Sequence, residues 1–252
     1  MLASVVRILG VIPARLGSTR LPNKPLQLLA GEPLVTRVIQ RVLEHGVLDK
    51  VVVATDSPMI VRVVERSGVE AVMTSPEHSS GTERVAEVAR KPEFAGFDII
   101  ANVQGDEPFI ERDALAGAIE RVKGGDDVGT AAAPLDFALV NDPARVKVVT
   151  DSKGRALYFS RAVIPFRREP TDPTDGLYWQ HIGLYVYTRT VLDRWISLPM
   201  SAIEQVERLE QLRALEDGMT FGVARLSQAV LPGIDTPSDL QRAEAYWNAQ
   251  SR

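Results

Sequence analysis

Short runs of β-branched residues alternate with helical patterns along the first half of this 252-residue chain. The runs are typical of buried strands, whereas the stretches between them place apolar residues on one helical face. This succession predicts βαβ units built around a mostly parallel sheet. The predicted strands are Val5–Pro13, Lys50–Thr55, Val69–Met73, Asp98–Val103 and Val128–Ala133, and the predicted helices between them are Pro33–Glu44, Ser57–Gly68 and Thr82–Arg90.

The pattern changes after residue 140, where strand-like runs follow one another with loops between them. The elements predicted beyond that point are the strands Val146–Thr150, Ala156–Phe159, Ile182–Tyr187 and Thr220–Ala224 and the helices Ile203–Glu216 and Pro237–Trp247. Pro165–Gly176 is rich in Pro, Asp and Arg, which predicts a mobile surface loop. We expect one α/β domain over residues 1–252, with helices on both faces of the sheet and a smaller β-rich subregion at about residues 140–190.

Composition excludes several functional classes. The chain has 29 Lys and Arg against 33 Asp and Glu, and it lacks the basic stripe of a nucleic-acid-binding protein. Without Cys and with three widely separated His, it predicts neither disulfides nor a Cys/His zinc site, so a metal would be a hard cation held by carboxylates. No apolar run reaches the ~18 residues of a membrane span. We therefore expect a cytoplasmic protein with no membrane or nucleic-acid partner.

A basic loop follows the first predicted strand, with the sequence PARLGSTRLPNKP at residues 13–25. The carboxyl end of the first strand of an open α/β sheet is where such folds bind ligands. Arg15, Arg20 and Lys24, with backbone N–H groups around Ser18, suit a polyphosphate. The loop is neither a Walker A motif nor a Gly-x-Gly fingerprint. The alternative is a surface loop that is basic without binding anything.

Two carboxylates follow other predicted strands. Asp106 comes just after Asp98–Val103, so we expect it at the same sheet edge as the basic loop. A carboxylate would repel a triphosphate unless Mg²⁺ bridged them. Asp235 precedes Pro237–Trp247 and is a second candidate ligand, although the residues alone leave open that it is an ordinary helix N-cap.

Several segments between about residues 7 and 245 together carry a family resemblance. They are PARLGSTRLPNKPL at 13–26, ATD at 54–56, SSGTERVAEV at 79–88, NVQGDEPFI at 102–110, VKVV at 146–149, ALYFSRAVIPF at 156–166, HIGLYVY at 181–187, LEQLRAL at 209–215 and GIDTP at 233–237. In this order they resemble the 3-deoxy-manno-octulosonate cytidylyltransferase family, also called CMP-Kdo synthetases.

The resemblance implies a nucleotide-diphospho-sugar transferase-like, Rossmann-like fold. It implies transfer of CMP from CTP to the anomeric hydroxyl of 3-deoxy-D-manno-octulosonate (Kdo), giving CMP-Kdo for lipopolysaccharide biosynthesis and releasing pyrophosphate. It also implies Mg²⁺ as cofactor and a homodimer, in which Tyr178, Trp179 and Trp195 would supply either interface or core. Two alternatives stay open: a cytidylyltransferase for a related acid sugar, of the CMP-sialic acid type or for amino-Kdo, and a module that binds CTP without turnover.

The resemblance also implies roles for individual residues. Arg15 and Lys24 would hold the triphosphate, with Ser18 and Arg20 shaping the loop. The implied nucleotide-binding residues are Arg15, Ser18, Arg20, Lys24, Ser80, Gly81 and Asp106, the metal ligands Asp106 and Asp235, and the sugar-binding residues Gln104, Arg161, His181, Tyr185, Glu210 and Gln211. Arg15, Lys24, Asp106 and Asp235 would be catalytic. A structural hydrogen bond at His181 and a solvated charge pair at Glu210 stay open as alternatives.

Overall fold

The computed structural model describes residues 6–250. In chain order the elements are β1 (Ile8–Ala14), β2 (Leu28–Leu29), β3 (Glu32–Pro33), α1 (Leu34–His45), β4 (Lys50–Thr55), α2 (Pro58–Glu65), β5 (Glu70–Met73), α3 (Gly81–Arg90), β6 (Ile99–Val103), α4 (Arg112–Lys123), β7 (Val128–Pro134), β8 (Lys147–Thr150), β9 (Ala156–Ser160), β10 (Trp179–Thr188), α5 (Arg189–Ser197), α6 (Ala202–Glu207), α7 (Gln211–Glu216), β11 (Phe221–Arg225) and α8 (Pro237–Gln250). Short 3-10 helices lie at Lys24–Leu26, Pro92–Phe94 and Phe137–Leu139. Two compact units result: the first extends to Arg112 and resumes at Leu231, and the second is Asp113–Val230.

The first unit contains parallel strands in the order β6-β1-β4-β5. In the middle of this arrangement, Gly10 of β1 is level with Ala101 of β6 on one side and Val51 of β4 on the other. These three strands are buried along nearly their whole length, which explains why the sequence shows continuous apolar runs there. Because the strands are parallel, their carboxyl ends share one edge, and the loops that carry the candidate nucleotide site leave from it.

The second unit combines parallel and antiparallel strands. β7 pairs in parallel with β11 and in antiparallel fashion with β10, and β8 is antiparallel to both β10 and β9. The register of β10 against β7 shifts between Ile182 and Val186. A bulge of this kind redirects the side chains beside it, which here include His181 and Tyr185.

The nine strands predicted from the sequence are confirmed, with ends that differ by up to three residues. Of the first, Val5 lies outside the described residues, and the observed strand begins at Ile8. The helices at the positions of α1, α2, α3 and α8 are also confirmed. The mostly parallel α/β fold class therefore holds, whereas the single-domain organisation stays a prediction.

One predicted helix is wrong. Ile203–Glu216 is not continuous: α6 ends at Glu207, Arg208 has φ of 54°, and α7 begins at Gln211. In an unbroken helix the carbonyl groups of residues 207 and 208 would accept from the amides four residues later. Here they accept from the guanidinium of Arg161 instead, at 2.8 and 3.3 Å. A tertiary contact therefore replaces the helical hydrogen bonds at the break.

Two of the aromatic residues considered for an interface belong to the core. Tyr178 and Trp195 are 1% and 2% exposed. Trp195 makes edge-to-face contacts with Tyr185 and Phe221, with ring centroids 5.3 and 5.5 Å apart. Such pairs stabilise the core beyond the burial of their area. Of the two alternatives left open, interface or core, Tyr178 and Trp195 therefore belong to the core.

Pro165–Gly176 contains no helix or strand, and most of its residues are exposed, as predicted for a surface loop. Its mobility stays a prediction. Across residues 6–250, no helix has both the length and the apolar character needed to cross a membrane.

Candidate functional site

The basic loop leaves β1 and turns back toward the end of the strand. The amide of Ser18 donates to the carbonyl of Leu16 at 2.8 Å, and its hydroxyl accepts from the amide of Leu21 at 3.3 Å. Asn23 then adopts a left-handed conformation, with φ of 53°, which Asn tolerates better than most residues. The 3-10 helix that follows begins at Lys24, so these turns fix where the lysine side chain starts.

Lys24 lies between the two predicted metal ligands. Its Nζ is 2.5 Å from Oδ2 of Asp106 and 2.9 Å from Oδ1 of Asp235. Arg20 completes the group, with Nη2 2.9 Å from Oδ2 of Asp235. The structure thus brings together one turn after β1, one after β6 and the approach to α8. The sequence pattern predicted that the first two would share a sheet edge, whereas a role for Asp235 in the same site was implied by the family resemblance.

The charges in this group shift each other's titration. Burial alone would lower the pKa of Lys24, but the charges of Asp106 and Asp235 and hydrogen bonds to them raise it above its ordinary value. Burial would raise the pKa of Asp235, but Lys24 and Arg20 lower it below the usual range. At neutral pH, Lys24 is therefore a cation and Asp235 an anion.

The N-cap interpretation of Asp235 is wrong. Thr236 caps α8: its hydroxyl accepts from the amide of Asp239 at 3.2 Å, and the Asp239 carboxylate accepts from the amides of Asp235 and Thr236. This reciprocal arrangement satisfies the helix N-terminus. The Asp235 carboxylate is thereby left to Lys24 and Arg20.

Backbone contacts hold the two carboxylate-bearing segments together. The amide of Ile234 donates to the carbonyl of Asp106 at 2.9 Å. Next to it, a Cβ at Gly105 would lie 2.6 Å from the carbonyl oxygen of Pro13, closer than a side chain can approach. Only glycine lets this turn lie against the end of β1. The positions of both carboxylates are thus set by main-chain geometry.

A cavity of about 280 Å³ opens beside Lys24. Its lining includes the predicted nucleotide-binding residues Arg15, Ser18, Arg20, Lys24, Ser80, Gly81 and Asp106, together with Gln104. Ser80 caps α3, its hydroxyl accepting from the amide of Glu83, so the helix N-terminus faces this cavity. Helix N-termini and arginines both favour phosphate.

Arg84 also lines this cavity, and the sequence reasoning did not single it out. It is 2% exposed and donates to the Thr74 hydroxyl and to the Asp56 carboxylate at 2.5 and 2.8 Å. A buried charge needs partners of this kind. The signal available in the sequence was an arginine on the apolar face of a predicted helix.

Gln104 lies in the first unit, and the other predicted sugar-binding residues, Arg161, His181, Tyr185, Glu210 and Gln211, lie in the second. The Gln104 side chain donates to Oδ1 of Asn102 at 3.2 Å. Gln211 is 2% exposed, and its Nε2 has no hydrogen-bond partner in the described part of the chain. A buried amide without an acceptor is unfavourable unless something else supplies one.

The hydrogen bonds of His181 define which ring nitrogen carries its proton. Thr130 Oγ1 lies 2.8 Å from His181 Nε2 and 2.7 Å from the carbonyl oxygen of Leu184. A hydroxyl has one proton, and the carbonyl can only accept it, so Nε2 of His181 donates to Thr130. Burial lowers the pKa of His181 to about 3. The ring is therefore neutral, with Nδ1 as its acceptor.

Tyr185 is a buried phenol that lies near the carboxylate of Glu210. Burial raises the pKa of Tyr185 well above its ordinary value, and the negative charge of Glu210 raises it further. The phenol consequently stays protonated and can donate. Neighbouring rings orient it: the His181 ring lies 5.6 Å away, centroid to centroid.

Arg161 is already engaged by backbone. In addition to the carbonyl groups of Glu207 and Arg208, it donates to that of Pro143 at 2.8 Å. Its implied role in sugar binding stays a prediction.

The carboxylates also bear on the predicted metal. Among the described residues, no group of three or more His, Cys, Asp or Glu side chains converges as a metal cage would require. Asp106 and Asp235 instead meet at a single cation, the Lys24 ammonium. Two carboxylates completed by phosphate oxygens and water are typical of Mg²⁺ at nucleotide sites.

Comparison with known proteins identifies relatives of the whole chain. A cytidylyltransferase family model matches residues 9–221. The chain is 52% identical over 244 residues to 3-deoxy-manno-octulosonate cytidylyltransferase of Gemmatimonas aurantiaca, covering 96% of this chain and 94% of that one. It is 45% identical over 250 residues to the protein of the same name from Methylococcus capsulatus, covering 96% and 97%.

Solved structures agree with the sequence relatives. CMP:2-keto-3-deoxy-manno-octonic acid synthetase complexed with CTP matches with a TM-score of 0.88 and 38% identity, covering 97% of this chain and 99% of that one. The fold is shared more widely: 4-diphosphocytidyl-2C-methyl-D-erythritol synthase of Anaerococcus prevotii matches over 96% and 99% with a TM-score of 0.63 at 13% identity. The chain is thus an α/β nucleotidyltransferase, and, as its motifs predicted, it belongs to the 3-deoxy-manno-octulosonate cytidylyltransferase family.

Proposed function

We propose that this protein transfers CMP from CTP to the anomeric hydroxyl of Kdo and releases pyrophosphate. The observation that carries the proposal is the convergence of Asp106 and Asp235 on Lys24, beside a cavity lined by a basic loop and a helix N-terminus. The family supplies the substrates: relatives named for Kdo cytidylyl transfer match nearly the full length, and a related structure holds CTP.

The nucleotide half of the reaction belongs to the first unit. Arg15 is an exposed residue that lines the cavity, and Lys24 lines it beside the carboxylates. Both side chains are placed to hold the triphosphate and to stabilise the charge that accumulates on the departing pyrophosphate. The N-terminus of α3, at Ser80 and Gly81, offers backbone N–H groups to the same anion.

Cytidylyltransferases generally use a divalent metal ion, and the residues here fit Mg²⁺. Asp106 and Asp235 would hold it, since their oxygens already surround a cation. When bound, Mg²⁺ would neutralise phosphate charge and lower the pKa of the attacking hydroxyl. Lys24 would then exchange its carboxylate partners for phosphate oxygens.

The acceptor half belongs mainly to the second unit. His181 offers an acceptor at Nδ1, Tyr185 a donor at its phenol, and Gln211 a buried amide donor. Donors and acceptors held in fixed positions suit a polyhydroxylated ring, because each hydroxyl both donates and accepts. In the reaction, the anomeric oxygen bonds to the α-phosphorus while the bond to the pyrophosphate oxygen breaks, and the hydroxyl proton passes to solvent.

A pyrophosphate-release assay with purified protein, Mg²⁺ and CTP tests the proposal. Kdo, sialic acid and no sugar are compared in parallel. Release that requires Kdo supports the proposal. Release with another acid sugar but not with Kdo would show that the protein is a cytidylyltransferase for that sugar. CTP binding without pyrophosphate release under any condition would show a nucleotide-binding module instead of an enzyme.

Three finer properties belong to the same proposal. CMP-Kdo would serve lipopolysaccharide biosynthesis, and the protein would act in the cytoplasm as a homodimer. Exposed apolar side chains in the second unit, such as Leu157 at 61% and Val206 at 85%, support self-association. Light scattering of the purified chain distinguishes a dimer from a monomer of 27.6 kDa.

A further inference from the structure

Glu207 links the end of β9 to the end of α6. One carboxylate oxygen accepts from the Ser160 hydroxyl at 2.5 Å, and the other accepts from the backbone amide of Arg161 at 2.9 Å. Nothing in the sequence motifs gives this glutamate a role. We call Ser160, Arg161, Glu207 and Arg208 the turn clamp.

Arg161 makes the remaining hydrogen bonds of the turn clamp. Its guanidinium donates to the carbonyl groups of Glu207 and Arg208 at 2.8 and 3.3 Å. Its own carbonyl accepts from the buried ammonium of Lys147 at 2.5 Å. Arg161 is thus fixed at its amide, its carbonyl and its side chain. Such a residue acts as a rigid cross-link.

The backbone that the turn clamp holds is in an unfavourable conformation. Arg208 has φ of 54°, in the left-handed region that residues with a Cβ seldom adopt. A conformation of this kind persists only where surrounding contacts enforce it, and it is enriched at functional sites. Here the carbonyl groups on either side of the strained φ are held by the same guanidinium.

The strained turn sets where the next residues lie. Glu210 and Gln211 follow within three positions, and α7 starts at Gln211. A continuous helix would rotate both to other faces, whereas the turn leaves Glu210 near Tyr185 and buries Gln211 with Nε2 unsatisfied by the described residues. A buried donor without a protein acceptor points to a ligand.

We propose that Glu207 is a positioning residue for the acid sugar: through Ser160 and Arg161 it enforces the turn at Arg208 and so fixes Glu210 and Gln211. This inference rests on the proposed function, because it takes the acid sugar to be the molecule that accepts a hydrogen bond from Nε2 of Gln211. Glu207 itself binds only protein groups in this arrangement.

The test compares Glu207→Ala with Glu207→Gln. Alanine removes both acceptors, so we expect the KM for Kdo to rise about tenfold or more, since small misplacements of binding groups are costly. Glutamine keeps one acceptor for the Arg161 amide and can donate to Ser160 Oγ, so it should restore the KM to within about threefold of wild type. The KM for CTP should not change in either variant.

Two further variants keep the test decisive. Ser160→Ala removes one hydroxyl and retains the Arg161 contact, so a smaller rise in the KM for Kdo is expected even if Glu207→Ala does not fold. Asp217→Asn is the matched control: this carboxylate lies at the other end of α7 and accepts from Arg194 at 2.6 and 2.9 Å, outside the turn clamp. Its KM for Kdo should equal that of wild type.

The outcomes separate the inference from the proposed function. If wild type shows no turnover with Kdo, the proposed function fails before any variant is compared. If wild type turns over but Glu207→Ala and Ser160→Ala keep the wild-type KM for Kdo, the positioning role is wrong. Equal losses toward CTP and Kdo, or an equal loss in Asp217→Asn, would show a purely structural role and overturn it as well.

Discussion

At the scale of single residues, Lys24 competes with any divalent cation for the same oxygens. Its ammonium is within 2.9 Å of both Asp106 and Asp235. Removing a unit charge at such distances changes the interaction by about 1 to 4 kcal/mol near a protein surface. We therefore expect Lys24→Met to bind Mn²⁺ about tenfold or more tightly in the absence of nucleotide. An electron paramagnetic resonance titration with Mn²⁺ alone measures this affinity.

The control for that titration is Lys123→Met, because Lys123 pairs with Glu120 at 2.9 Å on an exposed helix surface. Its Mn²⁺ affinity should match wild type. Unchanged or weaker Mn²⁺ binding by Lys24→Met would argue against Asp106 and Asp235 as metal ligands.

Asp106→Asn separates catalysis from stability. The amide keeps the shape of the side chain but loses the charge that would hold a cation, so we expect kcat to fall about 10²- to 10³-fold at saturating Mg²⁺. The side chain is about a quarter exposed, and Asp235 still pairs with Lys24 in the variant, so we expect the free energy of unfolding to fall by only about 1 to 3 kcal/mol. Steady-state kinetics and urea denaturation measure the two effects.

Glu111→Gln is the matched variant for Asp106. Glu111 lies five positions further along and pairs with Arg41 at 3.2 Å, away from Lys24. It should retain wild-type turnover. Near-normal kcat in Asp106→Asn would remove this residue from the mechanism.

His181 gives the fold a pH dependence of known sign. Burial lowers its pKa to about 3 from 6.5, so below pH 6.5 the unfolded chain takes up a proton that the folded chain does not. The free energy of unfolding therefore decreases as the pH falls, by about 2 kcal/mol at pH 5 relative to neutral pH. Above pH 6.5 both states carry the neutral ring, and the contribution disappears.

Urea denaturation of wild type and His181→Gln between pH 7.5 and pH 5 checks this, on the scale of about 2 kcal/mol. Carboxylates contribute equally to both proteins, so the difference between the two curves isolates the histidine. The difference in the free energy of unfolding between wild type and His181→Gln should become smaller as the pH falls. Parallel curves would mean that His181 is not buried as a neutral ring.

At the scale of helices and strands, Gly129 is where α4 lies directly against β7. A Cβ added at this position would overlap the carbonyl oxygen of Ala118, which belongs to the backbone of α4 and cannot rotate away. We expect Gly129→Ala to destabilise the protein by about 3 kcal/mol or more. Gly17→Ala is the control, because nothing lies within 4 Å of a Cβ there. Its free energy of unfolding should differ from that of wild type by about 0.5 kcal/mol or less. Urea denaturation of both compares them, and equal stability would contradict this packing.

The sequence predicted the elements whose burial pattern is regular. β4 was predicted with its observed ends, because residues 51–55 are buried and four of these five are β-branched. α4 and α5 were not predicted. The buried residues of α4 do follow helical spacing, at Ala114, Leu115, Ala118, Ile119 and Val122, so its pattern was present in the sequence. α5 buries only Leu192 and Trp195, too few for a clear apolar stripe.

The site divides in the same way. The meeting of Asp106 with Lys24 follows from strand order, because both lie in loops that leave the carboxyl ends of the neighbouring parallel strands β6 and β1. The break at Arg208 does not follow from local sequence, since LEQLRAL continues the apolar pattern of a helix. The helix is broken because Arg161, which is distant in sequence, donates hydrogen bonds to the carbonyl groups of Glu207 and Arg208. In a continuous helix these carbonyl groups would accept from backbone amides instead. Sequence periodicity carries no information about such a contact.

At the scale of the whole molecule, the predicted nucleotide-binding residues belong to the first unit, whereas most of the acceptor residues belong to the second. CTP alone should therefore slow amide exchange first in the loops around Ser18, Ser80 and Asp106. A ligand present at about 100 times its Kd raises the free energy of unfolding by about 2.7 kcal/mol. Hydrogen exchange with mass spectrometry, with GTP as the control nucleotide, maps this protection.

Adding Kdo to the CTP complex of a slow variant such as Asp106→Asn extends the same measurement to the second unit. We expect new protection at residues 207–212, because an acceptor for the buried amide of Gln211 would hold the turn at Arg208 closed. GTP with Kdo should leave the nucleotide loops unprotected. If CTP instead protects only Asp113–Val230, the assignment of the nucleotide to the basic loop is wrong, and the charges around Lys24 serve the fold alone.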